Sequence, residues 1–217
     1  MNIHQINLEC FHLEKMKQFY TQVLEMNLLT SSNQSFTVEA GATKITFEKT
    51  EYLPYYHVCF RTGKRYFDTI FHKLSNLNRL LKDEKGETSF YWKGNQAYFT
   101  DPDGNILELL ERPFQNKLGS NQDGWHDVAE IGMPSHNIKE FQEKLSFYIL
   151  DEVKATNETF AFFGDKEGCL VLVKEGRHWY PTDRGATIHP IKLVVSGKEN
   201  GKFAIPSYPY EVNVIRK

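Results

Sequence analysis

Apolar and polar residues alternate over Ile3–Cys10, with Ile6, Leu8 and Cys10 on one face and Gln5, Asn7 and Glu9 on the other. A period of two is that of a half-buried strand. The period then lengthens: Leu13, Met16, Phe19, Tyr20, Val23 and Leu24 follow helical spacing. This predicts an amphipathic helix from Leu13 to Leu24. Strand-length runs follow over Leu28–Ser31, Ser35–Glu39 and Thr43–Lys49, the last two joined by a tight turn at Ala40-Gly41. The order is β-α-β-β-β.

That order recurs. Tyr56–Thr62 reads as a strand, and Tyr66, Phe67, Ile70, Phe71 and Leu74 form an apolar helical stripe. Strands are predicted at Thr88–Trp92, Gln96–Thr100 and Asn105–Glu111. The polar, Gly- and Asn-containing stretch Pro113–Asp123 reads as a linker. Beyond it the pattern repeats at an offset of 125 residues, with Gln5-Ile6-Asn7-Leu8 over Glu130-Ile131-Gly132-Met133 and Leu13, Met16 and Tyr20 over Ile138, Phe141 and Leu145. The run Cys169–Lys174 parallels Thr43–Lys49. A fourth unit opens at Thr187–Val195, but Gly197, Gly201, Pro206 and Pro209 leave little room for a helix. It is predicted to be truncated to its first strand and a last strand near Tyr210–Ile215.

One motif adds chemistry to this pattern. Asp101-Pro102-Asp103-Gly104 is a tight-turn sequence, because Pro presets the backbone and Gly frees it. The strand after it is apolar except for Glu108 in its middle. A carboxylate there costs free energy unless it is paired or holds a metal. Strand faces extend the argument. If Val58 and Phe60 face the helix, then His57, Cys59 and Arg61 face the other way, and by the same count so do Ile106, Glu108 and Leu110.

Composition narrows the classes. The chain has 217 residues, 40% of them hydrophobic and 14% aromatic, with a formal charge of −2. That supports a packed core and gives no basic field for nucleic acid or a membrane surface. No run is long and apolar enough for a spanning helix, and the N-terminal residues do not resemble a signal peptide. Cys10, Cys59 and Cys169 are odd in number and set in apolar strands, which reads as reduced thiols in a cytoplasmic protein.

Tandem β-α-β-β-β units, Phe19-Tyr20 in the first helix, and the Asp101-Pro102-Asp103-Gly104 turn before a Glu-bearing strand resemble the vicinal oxygen chelate superfamily. Its members include glyoxalase I, extradiol ring-cleavage dioxygenases, fosfomycin-resistance enzymes and bleomycin-resistance proteins. The resemblance implies an α+β fold in which pairs of units form cup-shaped mixed sheets. It also implies metal ligands on first and last strands. Residues 1–113 would then form one domain carrying the cup, and 124–217 a second, degenerate one. Such cups form within one chain or between two, so a monomer and a homodimer are both compatible.

Carried onto this sequence, the ligand slots fall on His57, Glu108 and Gln5. Period-two counting puts Gln5 on the cup face and His4 on the helix side; a β-bulge would turn His4 inward. Glyoxalase I has a carboxylate at a fourth slot, which falls here on Thr46, a poor ligand. Tyr98 matches a catalytic Tyr of extradiol dioxygenases, but no His lies in the segment 87–97 where their acid–base residue is expected. Arg61 is placed to bind an anionic substrate group. In the second half the slots hold Glu130, Leu172 and Pro190, and His178-Trp179-Tyr180-Pro181 reads as an aromatic packing loop.

Two functions follow from the resemblance. One is a metal-dependent enzyme of the glyoxalase or dioxygenase type, using Fe, Mn, Ni, Co or Zn on a small substrate with vicinal oxygens. The other is a metal-free protein that sequesters a small molecule, as bleomycin-resistance proteins do.

Overall fold

The computed structural model describes residues 1–91, 94–112, 124–149, 153–154 and 157–216. The predicted linker at 113–123 lies outside the described residues. Unit one comprises β1 (Ile3–Cys10), α1 (Leu13–Gln18), β2 (Asn27–Ser31), β3 (Ser35–Ala40) and β4 (Thr43–Lys49). Unit two comprises β5 (His57–Thr62), α2 (Lys64–Asn76), β6 (Phe90–Tyr91), β7 (Asn95–Thr100) and β8 (Ile106–Glu111). Unit three comprises β9 (Trp125–Ser135), α3 (Ile138–Tyr148), β10 (Val153–Lys154), β11 (Phe160–Asp165) and β12 (Gly168–Lys174). Unit four is β13 (Ile191–Gly197), β14 (Gly201–Ala204) and β15 (Tyr210–Arg216), with no helix among the described residues. The sequence does not predict strand β14, because Gly197, Gly201 and Pro206 around it read as breakers.

In every unit the first strand runs parallel to the last: β1 beside β4, β5 beside β8, β9 beside β12 and β13 beside β15. The units combine into two sheets. One has seven strands in the order β14-β15-β13-β1-β4-β3-β2; the other has eight in the order β10-β11-β12-β9-β5-β8-β7-β6. At the middle of each sheet two first strands meet antiparallel, β1 with β13 and β5 with β9. Unit one therefore shares a sheet with unit four, and unit two with unit three. This corrects the expectation that units one and two close a cup within residues 1–113.

Units one and two are neighbours through their helix-side faces instead. The Tyr20 ring lies 4.6 Å from that of Phe47 in its own unit and 6.4 Å from that of Phe60 in unit two. Phe19 meets Phe99, and the Trp125 indole donates to the Leu24 carbonyl at 2.7 Å. Both sheets thus share one apolar core that excludes water from the helices between them. Seating two adjacent rings alters the predicted helix. It is α-helical only to Gln18 and widens into a π-turn over Phe19–Val23, which leaves both Phe19 and Tyr20 buried. The β3–β4 turn sits so close to β9 that a Cβ on Gly41 would lie 2.2 Å from the His126 carbonyl oxygen. At φ +59° it is also in the region that glycine tolerates best.

The Asp101-Pro102-Asp103-Gly104 turn ties the two units together. Asp101 accepts from the backbone N–H groups of Asp103 and Asn105 at 3.0 Å, the Asn105 amide at 2.8 Å and the Tyr20 hydroxyl at 3.2 Å. Asp103 reaches into unit one, accepting from the backbone N–H groups of Phe11 at 2.7 Å and His12 at 3.1 Å just before α1. It does the work of a helix cap from a different unit.

Candidate metal centre

Strand order sets the site. Cys59 on β5 is in register with Glu108 on β8 at one side and Glu130 on β9 at the other. Tyr98 on β7 is in register with Glu108. His57, two residues before Cys59, projects to the same face. The β5–β9 register slips by one between Cys59 and Phe60. This bulge leaves Ala129 beside Cys59 and Leu110, while Val128 and Ile131 stay in the main core. It also lets Asp127, three residues from Glu130, meet Arg61 on the same face.

One ligand atom from each of His57, Glu108 and Glu130 lies within 4.8 Å of the others. His57 Nε2 is 3.9 Å from Glu108 Oε2. His57 is 5% exposed and Glu108 4%, and Glu130 is half-buried. Burial pushes the His57 imidazole down to about 4, with the neighbouring Ile106 backbone opposing that shift. The ring is therefore neutral at physiological pH, with a lone pair free for a cation. Burial, then the Glu130 charge, push Glu108 up to about 8, and hydrogen bonds from Cys59 and Tyr98 pull it back. Burial raises Glu130 as well, against the pull of Arg112. A neutral imidazole and two crowded carboxylates form an N/O donor set suited to a divalent first-row ion.

The other predicted residues fall in several places. Tyr98 stands beside Glu108, its phenol pushed up by burial and by that carboxylate. Gln5 lies on β1 of the other sheet, where its amide donates to Asn7 at 3.1 Å. The structure does not bring it to His57 and Glu108. A register shift between Ile3 and Gln5 keeps Ile3 and Ile6 both buried and His4 and Gln5 both half-exposed. His4 thus leaves the helix side, as a bulge allows. Thr46 bonds to Thr37 at 2.9 Å on that same sheet.

Arg61 is 2% exposed and fully engaged. Its Nε and Nη2 each lie 2.8 Å from an oxygen of Asp127, and it also donates to the carbonyls of Lys166 and Glu167. This is a structural ion pair within the cup wall, in place of the predicted substrate contact. In the sequence Glu130 reads as the counterpart of Gln5 in the degenerate half. Only knowledge of which units pair brings it to the site. The aromatic loop does pack, and it packs on the site: the Trp179 and His57 rings stack at 4.6 Å and 26°.

These features define a protein of the vicinal oxygen chelate fold with a three-residue cluster on the cup floor. Residues 2–109 match the model of the Glyoxalase/Bleomycin resistance protein/Dioxygenase superfamily, and the chain belongs to that superfamily. It is 27% identical over 133 residues to the metallothiol transferase FosB of Lysinibacillus sphaericus (strain C3-41), covering 54% of this chain and 89% of that one. A solved structure described as a candidate dioxygenase from Bacillus subtilis superposes with a TM-score of 0.66 at 15% identity, covering 99% of this chain and 85% of that one. A glyoxalase I variant from Zea mays superposes at 0.61 with 10% identity, covering 99% and 92%. At these identities the two structures speak for the fold. Among the described residues no helix is long and apolar enough to cross a membrane.

Proposed function

We propose that the chain is a metal-dependent enzyme of this superfamily, acting on a small molecule with two adjacent oxygens. The observation that carries this reading is the convergence of His57, Glu108 and Glu130 from three adjacent strands onto one point of a buried cup floor. These residues would hold the ion, in place of the set that included Gln5. A divalent ion bound there supplies Lewis-acid stabilisation of negative charge on a chelating substrate. The chain's own residues do the rest. Tyr98, held protonated, donates a hydrogen bond at the carboxylate edge of the site. Val171, Val173, Phe160 and Phe162 line the apolar cluster around it and limit water. The name of the FosB relative joins a metal to a transferase, which agrees with metal use and leaves the reaction open.

The test is metal content by mass spectrometry on protein purified without chelators or a His tag, followed by titration with Zn²⁺, Mn²⁺, Fe²⁺, Co²⁺ and Ni²⁺. Near-stoichiometric metal in the wild type is expected. It should be lost in His57→Ala, Glu108→Ala and Glu130→Ala and kept in Gln5→Ala. Wild type that neither carries nor binds any of these ions would sink the enzyme reading and leave the metal-free sequestering protein.

A further inference from the structure

His57 has an unusual support. A metal-binding imidazole is ordinarily fixed by a hydrogen bond on its second nitrogen. Here Nδ1 is buried and meets no partner at full hydrogen-bond geometry among the described residues, and the Ile106 backbone gives the ring only a marginal contact. The face of the ring is held by Trp179, itself 4% exposed and stacked on it. The cup floor is shaped to admit this indole. Gly132 stands opposite His57 on β9, and a Cβ there would lie 2.8 Å from the indole Cη2 and Cζ2 and 3.1 Å from the His57 Cβ.

Trp179 comes from outside the sheet. Its loop closes on itself at the neck, where Gly176 donates to the Ala186 carbonyl and Ala186 to the Arg177 carbonyl, both at 2.8 Å. Within the loop the Trp179 N–H donates to the Arg184 carbonyl at 3.0 Å. Arg184 Nη1 donates to the Gly104 carbonyl at 2.8 Å, and its guanidinium lies 3.6 Å from the Tyr55 ring centre. Tyr180 abuts the rings of Phe90 and Tyr98. The loop is thus docked across the cup mouth, latched to the Asp101–Gly104 turn and carrying one ring down to the metal ligand.

We propose that Trp179 is a positioning residue for His57, so that the ligand set is assembled only while the 176–186 loop is docked. The inference rests on the metal reading above. It assigns to the second half of the chain a direct part in the site beyond Glu130. Stacking fixes the plane of the imidazole, in which Nε2 lies 3.9 Å from Glu108, and the Ile106 backbone acts on the edge of the ring rather than its face.

The test is Zn²⁺ titration calorimetry and the visible spectrum of the Co²⁺-loaded 217-residue chain, with thermal unfolding checked in parallel. Trp179→Phe keeps a stacking ring and should bind Zn²⁺ within about threefold of wild type. Trp179→Ala should bind at least about tenfold more weakly, the usual consequence of losing an outer-shell support, with altered Co²⁺ bands. Trp179→Leu keeps apolar bulk in the slot but removes the stacking face and should weaken binding in the same direction, which covers the case in which Trp179→Ala does not fold. If Trp179→Ala or Trp179→Leu binds like wild type with an unchanged spectrum, the positioning role is overturned while the metal reading stands. Equal losses in Trp179→Phe and Trp179→Ala also overturn it, since stacking survives in the former. Absence of Zn²⁺ and Co²⁺ binding in the wild type overturns both.

Discussion

Glu108 and Glu130 flank the same strand and approach each other in a site that water barely reaches, so two negative charges there repel strongly. The pH dependence of metal binding follows. Glu108 is pushed up to about 8 and His57 down to about 4. Above pH 5 the imidazole is already neutral, so the proton that a metal must displace comes from the carboxylates. Metal affinity is expected to rise by up to tenfold per pH unit between pH 6 and 8 and to level off above that, read by titration calorimetry in buffers of different ionisation enthalpy. The stability of the metal-free protein runs the other way. A carboxyl with a raised folded-state pKa contributes stability that is fully present below its unfolded value of 4.5 and lost as pH rises through about 8. Thermal scans should therefore show the larger metal-induced stabilisation at pH 8.5 and the smaller at pH 6. Arg61 makes a separate claim at this scale. Removing it leaves Asp127 buried without its counter-ion, and Arg61→Ala should cost about 3 kcal/mol in urea denaturation. If Arg61→Ala leaves stability intact, the structural reading of that pair is wrong.

At the scale of elements, the Asp101–Gly104 turn was legible as a turn and its wider role was not. Pro and Gly announce a local conformation. Nothing local in the sequence says that Asp103 faces the start of a helix ninety residues earlier, where it accepts from Phe11, His12 and the His12 ring. Asp103→Ala strands those donors, and a loss of about 2 kcal/mol is expected, seen as a lower urea midpoint at unchanged slope. Most strands and helices were readable because alternation and helical spacing reflect which side of each element faces the core. The failures have physical causes. The π-turn at Phe19–Val23 arises from seating two rings in one slot, which spacing alone does not encode. The bulges beside His4 and at Ala129 shift the period by one, so a strict count mistakes which side chains reach the cup.

At the scale of the molecule, the unit repeat was legible and the pairing of units was not, and the site depends on the pairing. His57 and Glu108 are legible together in the sequence because they belong to one unit. The resemblance puts the third slot on Gln5, on the first strand of unit one, on the expectation that units one and two share a cup; β5 instead takes β9 as its neighbour and so takes Glu130. The family match at 2–109 has the same reach: it contains His57 and Glu108 and stops short of Glu130. This gives the arrangement a decisive test with the fragment 1–112. Cutting there removes β9 and β13, and so uncovers one edge of β5 and one of β1. Both strands carry apolar residues, and unpaired edges of that kind seek another strand. The expected result in light scattering after gel filtration is a dimer or larger species, each fragment offering its β1 and β5 edges to another copy. Its metal affinity should be weaker than that of the full chain, because Glu130 is gone. A monomeric fragment with a cooperative unfolding transition and wild-type metal affinity would mean that units one and two close a cup by themselves. Gln5 would then regain its place as the third ligand.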